Sequence, residues 1–412
     1  MIHFDKFQLA NGLQVLVHED SSTPMAAVNI LYKVGARDEH PEKTGFAHLF
    51  EHLMFAGSKH APVFDEPLQR AGGENNAFTN NDFTDYYDIL PAENLEVALW
   101  LESDRLKFLN ISEQSLEVQR KVVCEEFKEH YLNQPYGDIW HKLSALAYTT
   151  HPYQWPTIGK ELKHIEEATL EDVRQFFSTY YRPNNAIMVV AGKVKTEEIK
   201  ILAEKWFGDI EPFYLNARQY PKEPKQQSPR YLELKADVPL DAIIMAYHIG
   251  SRKSKNYYVM DFISDMLSHG TSSHLYQRLV KQQKLFSEIE CYVTGTLDEG
   301  LIVVEGKIHR GVEMRQAEQA ILSELEKIQH EPANDYELQK VKNRLESNLI
   351  LSEVSLLTRA MNLAFYEMLG DADLINTEIQ EYVNITADDI LRESRQIFDR
   401  NNCSTIYYYA KN

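Results

Sequence analysis

Apolar positions in this chain collect into short blocks that end on glycine. The stretch "AAVNILYKVGARDE" (26–39) is one, and "DAIIMAYHIGSRKS" (241–254) is another. Both are rich in β-branched and aromatic residues, which predicts a strand that turns at Gly35 and at Gly250. The two superpose at a constant offset of 215, pairing Tyr32 with Tyr247, Gly35 with Gly250 and Arg37 with Arg252. A second pair, "ATLEDVRQFFSTYYRPNNAIMVVAG" (168–192) and "ITADDILRESRQIFDRNNCSTIYYYA" (385–410), superposes at 217. There Thr169 falls on Thr386, Asp172 on Asp389, Val173 on Ile390, Tyr181 on Phe398, and Asn184-Asn185 on Asn401-Asn402. Two nearly equal offsets predict two homologous halves.

Each half reads as an opening strand, a glycine turn, a run of helices and a closing strand, "AIMVVAG" or "STIYYYA". The expected fold class is therefore α+β, two homologous domains from an internal duplication, each a mixed, largely antiparallel sheet packed with helices. The polar stretch "YPKEPKQQSPR" (220–230) has little to bury and predicts a linker over 219–230, between domains at 1–218 and 231–412.

A chain of 412 residues suits two cores, and 43% hydrophobic with 25% charged residues is a globular composition. No segment approaches 18 uninterrupted apolar residues, and the N-terminus lacks a basic region followed by an apolar one. The expectation is a cytoplasmic protein with no membrane partner. Cys124, Cys291 and Cys403 are scattered without CxxC spacing, which argues against a disulfide scaffold or a thiolate metal site. A formal charge of -19 disfavours nucleic acid as a partner.

Chemistry enters at "TGFAHLFEHLMFAG" (44–57), with a threonine to cap a helix at its start and a glycine at its end. His48 and His52 fall one turn apart on one face and can grip a single ion. Glu51 borders that face, placed to take a proton from a water activated there. With 15 histidines in the chain the motif also arises by chance, so a third ligand is needed. Downstream, "QRKVVCEEFKEHYLNQPYGD" (119–138) is an acidic helical stretch containing Glu125, Glu126 and Glu129.

Together these stretches resemble the M16 (pitrilysin-like, inverzincin) zinc metallopeptidases. The resemblance implies one Zn2+ per chain held by His48, His52 and Glu126, with Glu51 as general base and acid. The glutamate that in the family hydrogen-bonds a ligand imidazole falls here on Gln119, an amide that can make the bond but cannot raise the ring's basicity. The segment "GGENNAFTNNDFTDYY" (72–87) resembles the family's substrate-pairing edge strand, which gives Asn76, Ala77 and Phe78 the task of holding an extended peptide. Read without the resemblance it is a hairpin with a polar turn.

In the second half, Asp261, Ser264 and Asp265 stand where His48, Glu51 and His52 stand in the first. The run "SSHLYQRLVKQQKLFS" (272–287) puts Val280 and Ser287 where many active members carry an arginine and a tyrosine that face the substrate carbonyl; Tyr276 and Arg278 are out of register. The resemblance thus implies a zinc-dependent endopeptidase acting on short or unfolded peptides inside a chamber, of which this chain forms half. Its expected partner is a homologous subunit supplying the Arg/Tyr pair in a heterodimer, with a homodimer as the rival. The alternatives are a non-catalytic core subunit and a presequence-processing peptidase subunit.

Overall fold

The computed structural model describes residues 1–213 and 218–411 and folds into two compact units. The first contains Met1–Glu129, Trp155–Tyr220 and Ile350–Thr377; the second contains His130–Gln154, Pro221–Leu349 and Glu378–Asn412.

The sheet of the first unit comprises β1 (Asp5–Gln8), β2 (Gln14–Glu19), β3 (Met25–Tyr32), β4 (Glu74–Thr79), β5 (Thr84–Pro91) and β6 (Ala186–Gly192), ordered 1-2-6-3-5-4. That of the second comprises β7 (Arg230–Ala236), β8 (Ala242–His248), β9 (Phe286–Val293), β10 (Leu301–Ile308) and β11 (Cys403–Ala410), ordered 7-11-8-10-9. Apart from β1 the two orders are one topology. Each has a single parallel pair, β2 with β6 and β7 with β11, and is otherwise antiparallel.

The duplication extends to register. Tyr32 pairs with Ala186 and Tyr247 with Cys403, so the offsets of 215 and 217 read from sequence meet across one strand pair in each unit. Asn185 Nδ2 donates to Tyr180 O (2.8 Å) and Lys33 O (3.4 Å), while Asn402 Nδ2 donates to Ile397 O and His248 O, both at 3.0 Å. Thr169 with Asp172, and Thr386 with Asp389, form matching capping boxes at the start of equivalent helices.

A sheet whose two faces are both apolar needs cover on both. β6 is buried along its whole length, and the helix Leu356–Leu369, from late in the sequence, lies against β6 and β3. Reciprocally, the helix Ile139–Ala147, from the first half, packs Ile139, Leu143 and Ala147 against β7, β8 and β11. Each half of the sequence therefore contributes a helix to the other half's sheet, and the compact units do not follow a single cut in the sequence.

The stretch 220–230 is irregular until β7 begins and is exposed at Pro221, Lys222, Pro224, Lys225, Gln227 and Ser228, but it is anchored at two positions between them. Glu223 and Gln226 are buried. The Glu223 carboxylate accepts from the backbone N–H groups of Thr149, Thr150 and His151, and Gln226 Nε2 donates to Cys403 O at 2.8 Å. Polar side chains that satisfy backbone groups dock this segment where apolar ones are missing.

Candidate metal centre

The helix Phe46–Leu53 buries Phe46, Ala47, Leu49, Phe50 and Leu53, which leaves His48, Glu51 and His52 on its other side. It differs from the sequence expectation at both ends. Thr44 does not cap it: its hydroxyl accepts from Lys160 N (2.7 Å) and lies 2.8 Å from His164 Nδ1. The N-cap is Gly45 at φ 88°, where a Cβ would come 2.6 Å from Ile158 O. The cap bonds come instead from Glu39, whose oxygens accept from Gly45 N (2.9 Å) and Ala47 N (2.8 Å). The helix stops at Leu53, before Gly57.

A second helix, Glu113–Phe127, opens on Ser112, whose hydroxyl accepts from Ser115 N, and buries Leu116, Val123, Cys124 and Phe127. This register turns Glu126 to the histidines. Its Oε1 lies 3.6 Å from His48 Nε2 and its Oε2 lies 3.3 Å from His52 Nε2. Glu125 points elsewhere, paired with Lys128 at 2.7 Å. The imidazole rings stand 4.9 Å apart at 80° to one another.

One donor atom from each of His48, His52 and Glu126 fits within 4.8 Å of the others, and no other such cluster occurs among the described residues. Zinc with bonds of about 2.0–2.1 Å in tetrahedral geometry separates its ligand atoms by about 3.3 Å, close to the 3.6 and 3.3 Å between Glu126 and the two imidazoles, so the donor set fits the ion. Burial pushes His48 down to about 4, with His52 acting in the same direction and Glu126 opposing. The imidazole is thereby held neutral, the form that ligates metal.

Glu51 is half-buried beside this cluster, its carboxyl raised above the usual range by burial and drawn back by a hydrogen bond with the Thr79 side chain and by His52. Gln119 lies two turns before Glu126 on the second helix and is half-buried. His48 Nδ1 is buried without a hydrogen-bond partner among the described residues, so the Gln119 amide does not meet it.

Asn76, Ala77 and Phe78 lie on β4, an edge strand paired with β5 alone among the described residues. The hairpin reading and the edge-strand reading describe one element. The Ala77 N–H donates to its neighbour's side chain, Asn76 Oδ1, at 2.8 Å.

In the second unit the equivalent helix is Lys255–Ser268. Asp261 accepts from Tyr382 OH (2.6 Å), Asp265 pairs with Arg344 (3.3 Å), and Ser264 Oγ donates to Asp261 O (2.8 Å). Protein partners thus meet both carboxylates. Val280 packs on that unit's core, and Ser287 Oγ donates to Lys307 O at 3.1 Å.

Two features escaped the sequence reading. One is the cap role of Glu39. The other is Arg105, fully buried with Glu102 and stacked over Phe55, Phe64 and Tyr86 at 5.1, 4.5 and 4.5 Å. Tyr86 OH in turn reaches Phe50 O on the histidine helix at 3.4 Å. The available signal was the helical spacing that puts Glu102 and Arg105 among Leu99, Leu101 and Leu106.

The sequence matches the profile described as "Insulinase (Peptidase family M16)" over residues 14–161 and that described as "Peptidase M16 inactive domain" over 167–345. It is 31% identical over 405 residues to a protein named zinc protease PqqE from Helicobacter pylori, covering 97% of this chain and 91% of that one. A probable mitochondrial-processing peptidase subunit beta from Schizosaccharomyces pombe is 29% identical over 71% of this chain and 66% of its own length. Among solved structures, a protease from Helicobacter pylori superposes with a TM-score of 0.93 at 30% identity, covering 99% of this chain and all (100%) of that one. A peptidase M16 inactive domain from Pseudomonas fluorescens gives 0.89 at 13% identity, covering 100% and 98% of the two chains, a likeness of fold alone. No helix among the described residues is long and apolar enough to cross a membrane.

Proposed function

The chain belongs to the insulinase (M16) peptidase family, and from that premise we propose that its first unit is a zinc-dependent endopeptidase hydrolysing short or unfolded peptides. The observation that carries this reading is the Glu126 carboxylate set against both imidazoles of the histidine helix. His48, His52 and Glu126 would hold the ion. Zinc, when bound, supplies Lewis-acid chemistry, acidifying an attacking water and polarising the scissile carbonyl. Glu51 takes the proton from that water and returns it to the leaving nitrogen, a task suited to a carboxyl raised by burial. The open edge of β4 at Asn76–Phe78 receives the peptide as an added strand and presents its carbonyl to the cluster.

Val280 and Ser287 favour a heterodimer. Neither supplies the donors that the resembled members bring to the developing oxyanion, and loss of such a donor lowers turnover by roughly two to three orders of magnitude. A homologous subunit carrying the Arg/Tyr pair would restore them.

The test is hydrolysis of a quenched fluorescent, unstructured peptide by the zinc-loaded chain, with Glu51→Gln as the blank. Stoichiometric zinc with negligible turnover alone, and Glu51-dependent turnover once the partner is added, is the expected pattern. Robust Glu51-dependent turnover by the chain alone would overturn the heterodimer. Absence of zinc binding would overturn the enzyme.

A further inference from the structure

The histidine helix has only eight residues and no side-chain cap of its own. Two turns of α-helix make few internal hydrogen bonds, so the orientation of its side chains depends on what holds its first N–H groups. Those groups meet Glu39, buried at 7% exposure, through two bonds to different oxygens, Gly45 N at 2.9 Å and Ala47 N at 2.8 Å. A carboxyl engaged by both oxygens fixes direction as well as distance; burial pushes it up to about 8, while the bonds from Ala47 N, Gly45 N and the Trp155 side chain favour its ionised form.

Glu39 is itself held. The turn Ala36–Asp38 that precedes it donates Ala36 N to Asn80 O (3.1 Å) and Arg37 N to Asn81 O (2.9 Å), both in the turn between β4 and β5. A Cβ on Gly35 would sit 2.5 Å from Asn81 C, so the two turns touch backbone to backbone. On its other side Asp38 accepts from Gly35 N (2.9 Å), Arg218 Nη1 (2.7 Å) and Tyr220 OH (2.6 Å), and Trp155 Nε1 donates to Ala36 O (3.0 Å). The turn 35–39 therefore touches two elements at once: the hairpin whose outer strand carries Asn76–Phe78, and the helix that carries His48, Glu51 and His52.

We infer that Glu39 is a positioning residue for the reaction, the link that sets the histidine helix at a fixed angle and distance from the peptide-binding edge of β4. It touches neither metal nor substrate. It acts through the backbone of Gly45 and Ala47, directly before His48. This inference rests on the peptidase reading and adds to it a residue that determines how the ligand set and the general base face the bound peptide. Replacement by glutamine turns an amide N–H toward one of the two backbone donors, so one bond is exchanged for a repulsive contact.

The experiment compares the full chain with Glu39→Gln and with Trp155→Phe, which keeps an aromatic ring but removes the N–H that donates to Ala36 O and also acts on Glu39. Three readouts are taken: zinc affinity by competition with a chromogenic chelator, amide hydrogen exchange of residues 45–47 in the metal-free chain, and peptide hydrolysis at saturating zinc with the partner subunit present. For Glu39→Gln, zinc affinity is expected to fall about tenfold or more, exchange at 45–47 to quicken, and kcat to fall with KM little changed, because β4 keeps its own bonds. Trp155→Phe should shift all three in the same direction by less. If Glu39→Gln does not fold, Trp155→Phe decides between the outcomes on the same three readouts.

Variants with a lower melting temperature but wild-type zinc affinity, exchange and kcat would overturn the inference and leave Glu39 a stabilising residue only. A wild-type chain that binds no zinc would remove the peptidase reading and this inference with it. A zinc-binding wild type matched by its variants removes this inference alone.

Discussion

Glu126 faces His52 with Oε2 3.3 Å from the imidazole Nε2, while its neighbour Glu125 turns to Lys128. Adjacent helical residues point about 100° apart, so one register places one carboxylate over the histidines and the other in solvent. Glu126→Gln is expected to lower zinc affinity by two orders of magnitude or more, as loss of one of three protein ligands requires. Glu125→Gln should bind zinc like the wild type. Chelator competition on both variants checks this, and the reverse result would mean that the second helix is set one residue out of register.

Glu51 shares the histidine face but is not one of the three clustered donors. Its proposed work is proton transfer, which contributes roughly 10²–10⁴ in rate. Glu51→Gln should therefore retain stoichiometric zinc with unchanged affinity and lose turnover by a factor in that range or larger. A variant that loses zinc in parallel with activity would make Glu51 part of the ligand set.

Ala77 stands opposite Tyr86 in the β4–β5 register, and its N–H donates to Asn76 Oδ1 at 2.8 Å. Proline is tolerated on an edge strand at such a position. Ala77→Pro should fold with wild-type zinc content yet raise KM several-fold, because the N–H that an added peptide strand would take over from Asn76 Oδ1 is gone. An unchanged KM would place the peptide away from this edge.

The internal duplication and the histidine pair were legible in the sequence because one rests on repetition and the other on local spacing. The pairing of Tyr32 with Ala186, and of their copies Tyr247 with Cys403, was not legible, because equal offsets match one half to the other without stating which strands adjoin. The exchange of the helices Ile139–Ala147 and Leu356–Leu369 was not legible. An apolar helix face such as that of Leu363 and Ala364 suits any apolar sheet, and nothing in its period states which of two similar sheets it covers. Glu39 escaped for a related reason. Its capping target lies six residues further on across an irregular loop, outside the spacing of a capping box, and Thr44 offered the more familiar local signal. Glu223 and Gln226 looked like solvated linker residues because a buried carboxylate is recognisable only once the N–H groups around it are known.

A last prediction concerns pH and the core beneath the site. Asp85 on β5 is fully buried and its carboxyl is pushed up to about 8 by that burial, with the Glu102 charge acting in the same direction and a hydrogen bond from Asn29 Nδ2 (2.9 Å) opposing. The folded chain thus keeps a proton that the unfolded chain releases near the ordinary value of 3.8. Since the folded state binds more protons across that window, stability falls as pH rises from about 4 to about 8, then levels off. The slope approaches about 1.4 kcal/mol per pH unit in the limit of an isolated group. Asp85→Asn keeps an acceptor for Asn29 and has no proton to lose. The variant should match the wild type near pH 4 and melt several degrees higher at pH 8. Parallel melting curves across this range would show that Asp85 is solvated or shares its charge with Arg105 when the chain is folded.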